Sequence, residues 1–187
     1  MRIVLARHTQ TPMNLNRCYY GRMDVSINQT GLEQAQMLGR KLNELERVDT
    51  VITSRLSRTI QTADIALKET PFNPERIVTE VFNERDFGIW EGKTADQVAE
   101  IDPENWQHFL NAPFEATPRG GEKFSDFEDR ILYKWDQILY NKSSSDTLLM
   151  VLHLGVIRVI IKERLETQRD FWDIQLPAGD YRIFDIN

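Results

Sequence analysis

The stretch MRIVLARHTQT, residues 1–11, decides how the rest of the chain is read. Four apolar residues, Ile3, Val4, Leu5 and Ala6, stop abruptly at Arg7-His8, followed by the small polar residues Thr9, Gln10 and Thr11. A run this short, with β-branched members, fits a strand buried on both faces and is too short for a core helix. In open α/β sheets such strands deliver functional side chains at the carboxyl edge. That placement makes Arg7 a candidate anion clamp and His8 a candidate nucleophile. Taken alone, the pair is more simply read as a strand that happens to end at a polar surface.

Further strands are expected at 48–53, 76–82 and 147–152, the last being the most apolar, with an edge-like strand at 180–186. Thr30-Gly31-Leu32-Glu33 reads as a capping box opening a helix whose apolar stripe is Leu32, Ala35, Leu38, Leu42 and Leu45. Thr94 with Gln97 caps a short helix through Ile101, and Asp102-Pro103 starts another through Trp106 and Phe109. Ser125-Asp126-Phe127-Glu128 is a further capping box, opening a long helix with Phe127, Ile131, Trp135 and Ile138 on one face. A last helix is expected over 156–165. Strands alternating with helices predict an α/β fold: a three-layer α/β/α sandwich around a mostly parallel sheet. Residues 12–29 read as a loop, and 82–121 as an elaboration within a single domain spanning 1–187.

The helix expected from Ser54 is unusual at its start, because Arg55 and Arg58 fall in its first turn. Cations there oppose the helix dipole at about 0.3–1 kcal/mol each. An anion bound at that helix start would reverse the sign.

Composition narrows the function. The 187 residues are 41% hydrophobic and 28% charged, with four tryptophans, as in an ordinary globular domain. A formal charge of −6 argues against non-specific nucleic-acid binding, which needs a broad basic surface. Cys18 is the only cysteine, so an intramolecular disulfide and a cysteine-based zinc site are excluded. The opening apolar run is too short for a secretory signal, and no window approaches the ~20 apolar residues of a membrane helix. A cytoplasmic protein without a membrane partner is expected.

Two of the three histidines, His8 and His153, follow the two most apolar strands, and Arg58 also follows a strand end. All would meet at one carboxyl edge. A histidine pair can hold a metal, but further ligands would be needed, and arginines repel a cation. Guanidinium forks instead match phosphate oxygens bidentately. No metal and no cofactor are therefore expected.

These residues resemble the histidine phosphatase superfamily, also called phosphoglycerate-mutase-like. Arg7-His8-Thr9-Gln10-Thr11 is similar to its Arg-His-Gly-x-Thr signature. Ser54, Leu56, Arg58, Gln61, Thr62 and Ala63 match a second element; Glu84, Gly88, Trp90, Glu91 and Gly92 a third; and His153 before Gly155 a fourth. The resemblance implies that His8 becomes a phosphohistidine. Arg7, Arg58 and His153 would bind the phosphoryl oxygens, and Glu84 would act as acid and then base. It further implies substrate contacts from Asn14, Tyr20, Gly21 and Leu154, a small phosphate ester as ligand, and leaves a homodimer open. For Glu84 an ion pair with Arg85 or Arg58 is the plainer alternative.

Two residues depart from the family pattern. Thr9 stands where glycine usually follows the nucleophile, and Leu154 where glycine is frequent. A β-branched residue at position 9 would crowd the pocket and resist positive φ. Within the family, the compact length and Gly120, Gly121, Glu122, Asp126, Phe127 and Arg130 are most similar to the α-ribazole phosphatases. Those remove the 5′-phosphate of α-ribazole phosphate in the nucleotide-loop branch of cobalamin synthesis. The alternatives are a broad-specificity or fructose-2,6-bisphosphatase-like phosphatase and a phosphoglycerate mutase. Of another class is a weakly active phospho-ligand binding protein, suggested by Thr9. Tyr19, Tyr20, Trp106 and Phe109 could stack an aromatic base or belong to the core.

Overall fold

In the computed structural model, which describes residues 1–186, strand β1 (Arg2–Arg7) lies inside a five-stranded sheet. Its alternate residues feed two cores. Val4 and Ala6 join a cluster with Leu38, Leu42, Ala63 and Ala66, while Ile3 and Leu5 join one with Ile131, Trp135, Val156 and Ile160. A strand with cores on both sides has no polar face, which is why its sequence reads as an unbroken apolar run.

The chain continues through α1 (Pro12–Leu15), α2 (Gln29–Leu42), β2 (Thr50–Thr53), α3 (Ser57–Lys68) and β3 (Glu75–Val78). After β3 come α4 (Ala95–Ile101), α5 (Pro103–Asn111) and α6 (Phe124–Tyr140), then β4 (Thr147–Leu152), α7 (Leu154–Ile160) and β5 (Tyr181–Asp185). The sheet order is β3-β2-β4-β1-β5. The first four of these strands run parallel, and only the edge strand β5 is antiparallel. α2 and α3 cover one face and α6 and α7 the other, giving the expected sandwich. Among the described residues no helix is long and apolar enough to cross a membrane.

Several boundaries differ from expectation for identifiable reasons. α2 is capped by Asn28, whose Oδ1 accepts the Gly31 N–H at 2.8 Å, so the Thr30–Glu33 pair is not the cap. α6 starts at Phe124 with no side-chain cap. Phe124 packs on Phe114 and Phe171 at ring separations of 4.7 and 5.5 Å, and this tertiary contact takes precedence over the Ser125 box. The strand at 76–82 is cut short where Thr79 caps a 3₁₀ turn, Glu80–Phe82. α3 begins at Ser57, leaving Arg55 outside it, exposed and paired with Glu80 at 3.4 Å. α7 starts two residues earlier than expected and continues as a π turn, Ile161–Leu165. The loop after β1 contains one helical turn, α1, closed by a Thr11–Asn14 capping box. The Thr94–Gln97 box caps α4 as expected.

Candidate active site

Parallel register brings the histidines together. Arg7 of β1 pairs with Leu152 of β4, so the next residues, His8 and His153, leave the sheet side by side. Their ring centroids are 5.2 Å apart. β2 lies on the other side of β4 and delivers Ser54, whose Oγ is 2.8 Å from His153 Nε2. From the first turn of α3, Arg58 Nε donates to His153 Nδ1 at 3.2 Å.

These partners determine where the protons sit. The guanidinium can only donate, so His153 Nδ1 accepts and Nε2 carries the hydrogen, directed at Ser54 Oγ. Ser54 Oγ also accepts the Leu56 N–H at 3.1 Å and has its own proton for Thr59 Oγ1, 2.8 Å away. His8 Nδ1 lies 2.8 Å from the Thr9 carbonyl, which can only accept. His8 Nδ1 therefore carries the hydrogen, and Nε2 keeps a free lone pair.

Burial pushes both imidazoles well below their usual value, and the nearby Arg58 and Arg7 charges push His8 further down. His8 is thus held neutral, the nucleophilic form. The stability consequence has a definite sign. In the unfolded chain both histidines titrate near 6.5. Below that pH the unfolded state binds protons that the folded state refuses, so stability is held above it and lost as pH falls. The thermal midpoint is expected to drop between about pH 7.5 and about pH 5.5, and to drop less steeply in His8→Ala. Equal slopes for the two proteins would contradict this.

Arg7 donates from Nη1 to the Leu176 carbonyl at 3.0 Å, while its buried Nε has no partner among the described residues. Arg58 is fully buried, donates to the carbonyls of Met23 and Gly21, and lies over the Tyr20 ring at 4.7 Å. The anion expected at the start of α3 is supplied by the chain itself. Asp24 accepts the Ser57 N–H and hydroxyl, both at 2.7 Å.

Glu84 accepts the Arg85 N–H on Oε1 and the Gly155 N–H on Oε2, each at 3.0 Å. Among the described residues it makes no ion pair with Arg85 or Arg58; Arg85 is instead spent on the carbonyls of Ala116 and Glu122. Gly155 leaves the Glu84 carboxylate its place, since a Cβ there would meet that carboxylate and displace it. Arg130 ties down the segment carrying Glu84. It donates to the carbonyls of Val81, Asn83 and Glu84 while paired with Glu122.

Above this floor opens a cavity of about 330 Å³, walled by Tyr20, Phe124, Leu154, Phe171 and Trp172, with Glu84 and Arg7 at its edge. Of the four proposed substrate contacts, Tyr20 and Leu154 line it. Asn14 does not: its Oδ1 is used to cap α1 through Thr11. Gly21 lies behind Arg58, which it meets through its carbonyl. Trp106 also falls away from the cavity, stacked on Phe109 at 5.9 Å and edge-on to Trp90. The Phe171-Trp172 wall was not anticipated. Arg158 stands against it at 5.6 and 5.2 Å from the two rings, held by a 2.9 Å bond to the Ile174 carbonyl.

Thr9 does not crowd the cavity. Its N–H and hydroxyl meet Thr62 Oγ1, both at 3.0 Å, and its backbone has no positive φ. Its methyl group packs against Gly179, whose φ of +75° suits glycine and whose missing Cβ leaves the methyl room. Thr9→Gly is therefore expected to cost about 1–2 kcal/mol of stability through a lost hydrogen bond and added chain entropy. Its kcat/KM should stay within about threefold of wild type. A gain of about tenfold or more would show that Thr9 restrains the site.

A strand-end histidine pair in which one ring keeps a free nitrogen, flanked by buried Arg58, half-buried Arg7 and a carboxyl, is an arrangement that can hold a phosphoryl group beside a nucleophile. The family model of the histidine phosphatase superfamily (branch 1) matches residues 3–187, and the chain belongs to that family. It is 30% identical to the adenosylcobalamin/α-ribazole phosphatase of Escherichia coli K12 over 188 residues, covering 100% of this chain and 91% of the relative. It is also 29% identical to a 2,3-bisphosphoglycerate-dependent phosphoglycerate mutase of Tropheryma whipplei, covering 99% of this chain and 93% of the mutase. That alignment runs to 210 positions, longer than this chain, so the mutase carries extra residues within the matched span. Among solved structures, the crystal structure of a putative α-ribazole-5′-P phosphatase from Escherichia coli superposes with a TM-score of 0.89 at 28% identity. It is covered to 91%, and this chain to 100%.

Proposed function

We propose that the chain is a metal-independent phosphomonoester hydrolase working through a phosphohistidine on His8, with α-ribazole 5′-phosphate as its substrate. The observation that carries the mechanism is the free Nε2 of a neutral His8 beside Arg7, whose buried Nε awaits an acceptor. An unpaired buried guanidinium N–H is costly, and a phosphoryl oxygen would satisfy it.

The His8 Nε2 lone pair attacks phosphorus, and the bond from phosphorus to the ester oxygen breaks. Glu84 gives its proton to that oxygen as the alcohol leaves. His8 is now a phosphoimidazolium whose Nδ1–H remains on the Thr9 carbonyl, stabilising the cation. Water then loses a proton to Glu84, its oxygen attacks phosphorus, and the P–N bond breaks. Phosphate is released, with His8 neutral and Glu84 protonated again. Arg7 and Arg58 offset the charge on the equatorial oxygens throughout, the work a metal performs elsewhere. His153 has both ring nitrogens engaged with Arg58 and Ser54. It contacts the phosphoryl group only if Arg58 exchanges it for the anion; otherwise it orients Arg58.

The substrate reading is supported by the cavity wall. Aromatic rings over a phosphate-binding floor suit a leaving group with a flat, apolar base better than a small polyanion. The resemblance to α-ribazole phosphatases points the same way. The test is a phosphatase panel in EDTA with α-ribazole 5′-phosphate, 3-phosphoglycerate and fructose 2,6-bisphosphate. The highest kcat/KM is expected for α-ribazole 5′-phosphate. A preference for either of the others would reject the substrate assignment, and no turnover on any ester would reject the hydrolase.

A further inference from the structure

Glu91 lies behind the site and takes no part in the cavity wall. Its carboxylate nonetheless collects four backbone donors. Oε1 accepts the N–H groups of Gly21, Arg22 and Phe87 at 3.0, 2.8 and 3.1 Å, and Oε2 accepts that of Met23 at 2.7 Å. Three successive N–H groups converging on one point form a concave anion-binding turn. Here the chain's own carboxylate fills it. The carbonyls of the same turn face the other way: Gly21 O accepts from Arg58 Nη2 at 2.7 Å, and Met23 O from Nη1 at 2.9 Å. One peptide unit, joining Gly21 to Arg22, therefore has its N–H on Glu91 and its C=O on Arg58.

Arg58 is fully buried, yet among the described residues no carboxylate lies within ion-pair distance of its guanidinium. An uncompensated buried cation is expensive. A carboxylate on one end of a peptide dipole polarises the other end and strengthens the bond made there.

We propose that Glu91 is a positioning residue for phosphoryl binding, holding and partly neutralising Arg58 through the turn at residues 21–23. It touches neither substrate nor reacting atoms. The inference rests on the reading that Arg58 binds the phosphoryl group, and it explains why an acidic residue belongs beside Trp90 although neither side chain lines the cavity. Glu91 orders the turn, the turn aims Arg58, and Arg58 meets the anion.

The experiment compares wild type, Glu91→Gln, Glu91→Asp, Arg58→Lys and the Glu91→Gln/Arg58→Lys double variant. It reads the thermal midpoint, KM and kcat for p-nitrophenyl phosphate, and the affinity for orthovanadate as a phosphoryl mimic. Glu91→Gln keeps the shape but removes the charge. Its vanadate affinity is expected to fall about tenfold and its KM to rise similarly, with a smaller change in kcat. In the Arg58→Lys background the same change should cost less than about threefold, because the partner it acts through is already altered. Glu91→Asp, which retains the charge, should fall between wild type and Glu91→Gln. Unchanged vanadate affinity in Glu91→Gln, equal losses in both backgrounds, or Glu91→Asp binding no better than Glu91→Gln would each overturn the proposal. A wild type that binds vanadate but hydrolyses no phosphomonoester would instead reject the hydrolase reading, leaving the Glu91 comparison readable in affinity alone.

Discussion

His8→Ala is expected to lower kcat/KM on every phosphomonoester by about 10⁴-fold or more, with no change in the order of substrate preference. The size follows from the route. Without Nε2 no P–N bond can form, and the remaining groups are arranged for an attacking atom that is missing. Arg7 and Arg58 would still hold the phosphoryl group, so vanadate binding should survive in the variant. His8 is a small part of the packed interior, and its loss leaves the β1–β4 pairing intact. The measurement is steady-state turnover beside vanadate affinity. A residual rate within about tenfold of wild type would mean that water attacks phosphorus directly and that His8 only binds.

Glu84→Gln should separate the two chemical steps. The amide cannot give or take a proton, so esters with poor leaving groups are expected to slow by about 10²–10⁴-fold. p-Nitrophenyl phosphate needs no proton on its leaving oxygen, so formation of the phosphohistidine should be far less affected. Hydrolysis of that intermediate still needs a base. The variant should therefore release one equivalent of p-nitrophenol in a burst and then turn over slowly, accumulating phosphoenzyme. Rapid-mixing absorbance checks this. Equal slowing of p-nitrophenyl and alkyl phosphates, with no burst, would show that Glu84 acts by holding Gly155 and the start of α7 in place and not as acid and base.

How much of this was legible in the sequence depends on how far apart the contacting residues lie. β1 and β4 could be read because each is an unbroken apolar run, and a parallel sheet puts the residues after such runs on one edge. His8, His153, Arg7 and Arg58 follow from that geometry together with the family resemblance. Arg55 did not follow: helical spacing placed it beside Arg58, but α3 starts three residues later than expected, at Ser57, and Arg55 faces solvent. The carboxylate at the α3 start is hidden from the sequence for a related reason. Asp24 is 33 residues away from Ser57, and no local pattern announces that pairing. Ser54 matched a family element, yet its hold on His153 spans 99 residues and appears only when β2 and β4 are placed side by side. The concern over Thr9 came from treating position 9 in isolation. Thr62 supplies a hydroxyl and Gly179 leaves space, and those compensations lie on other elements. The aromatic wall is the extreme case. Phe114, Phe124, Phe171 and Trp172 come from three stretches of chain that sequence periodicity cannot bring together.

Attack on phosphorus by His8 through Nε2 can be tested without any variant. The direct measurement is to quench the protein during turnover, denature it in base to preserve phosphoramidates, and identify the phosphorylated residue and nitrogen by mass spectrometry and ³¹P NMR. Because Nδ1 is committed to the Thr9 carbonyl, phosphate is expected on His8 at Nε2 and nowhere else. Phosphate at Nδ1, phosphate on another residue, or turnover with no phosphoenzyme under conditions that trap it would rule out attack by His8 Nε2.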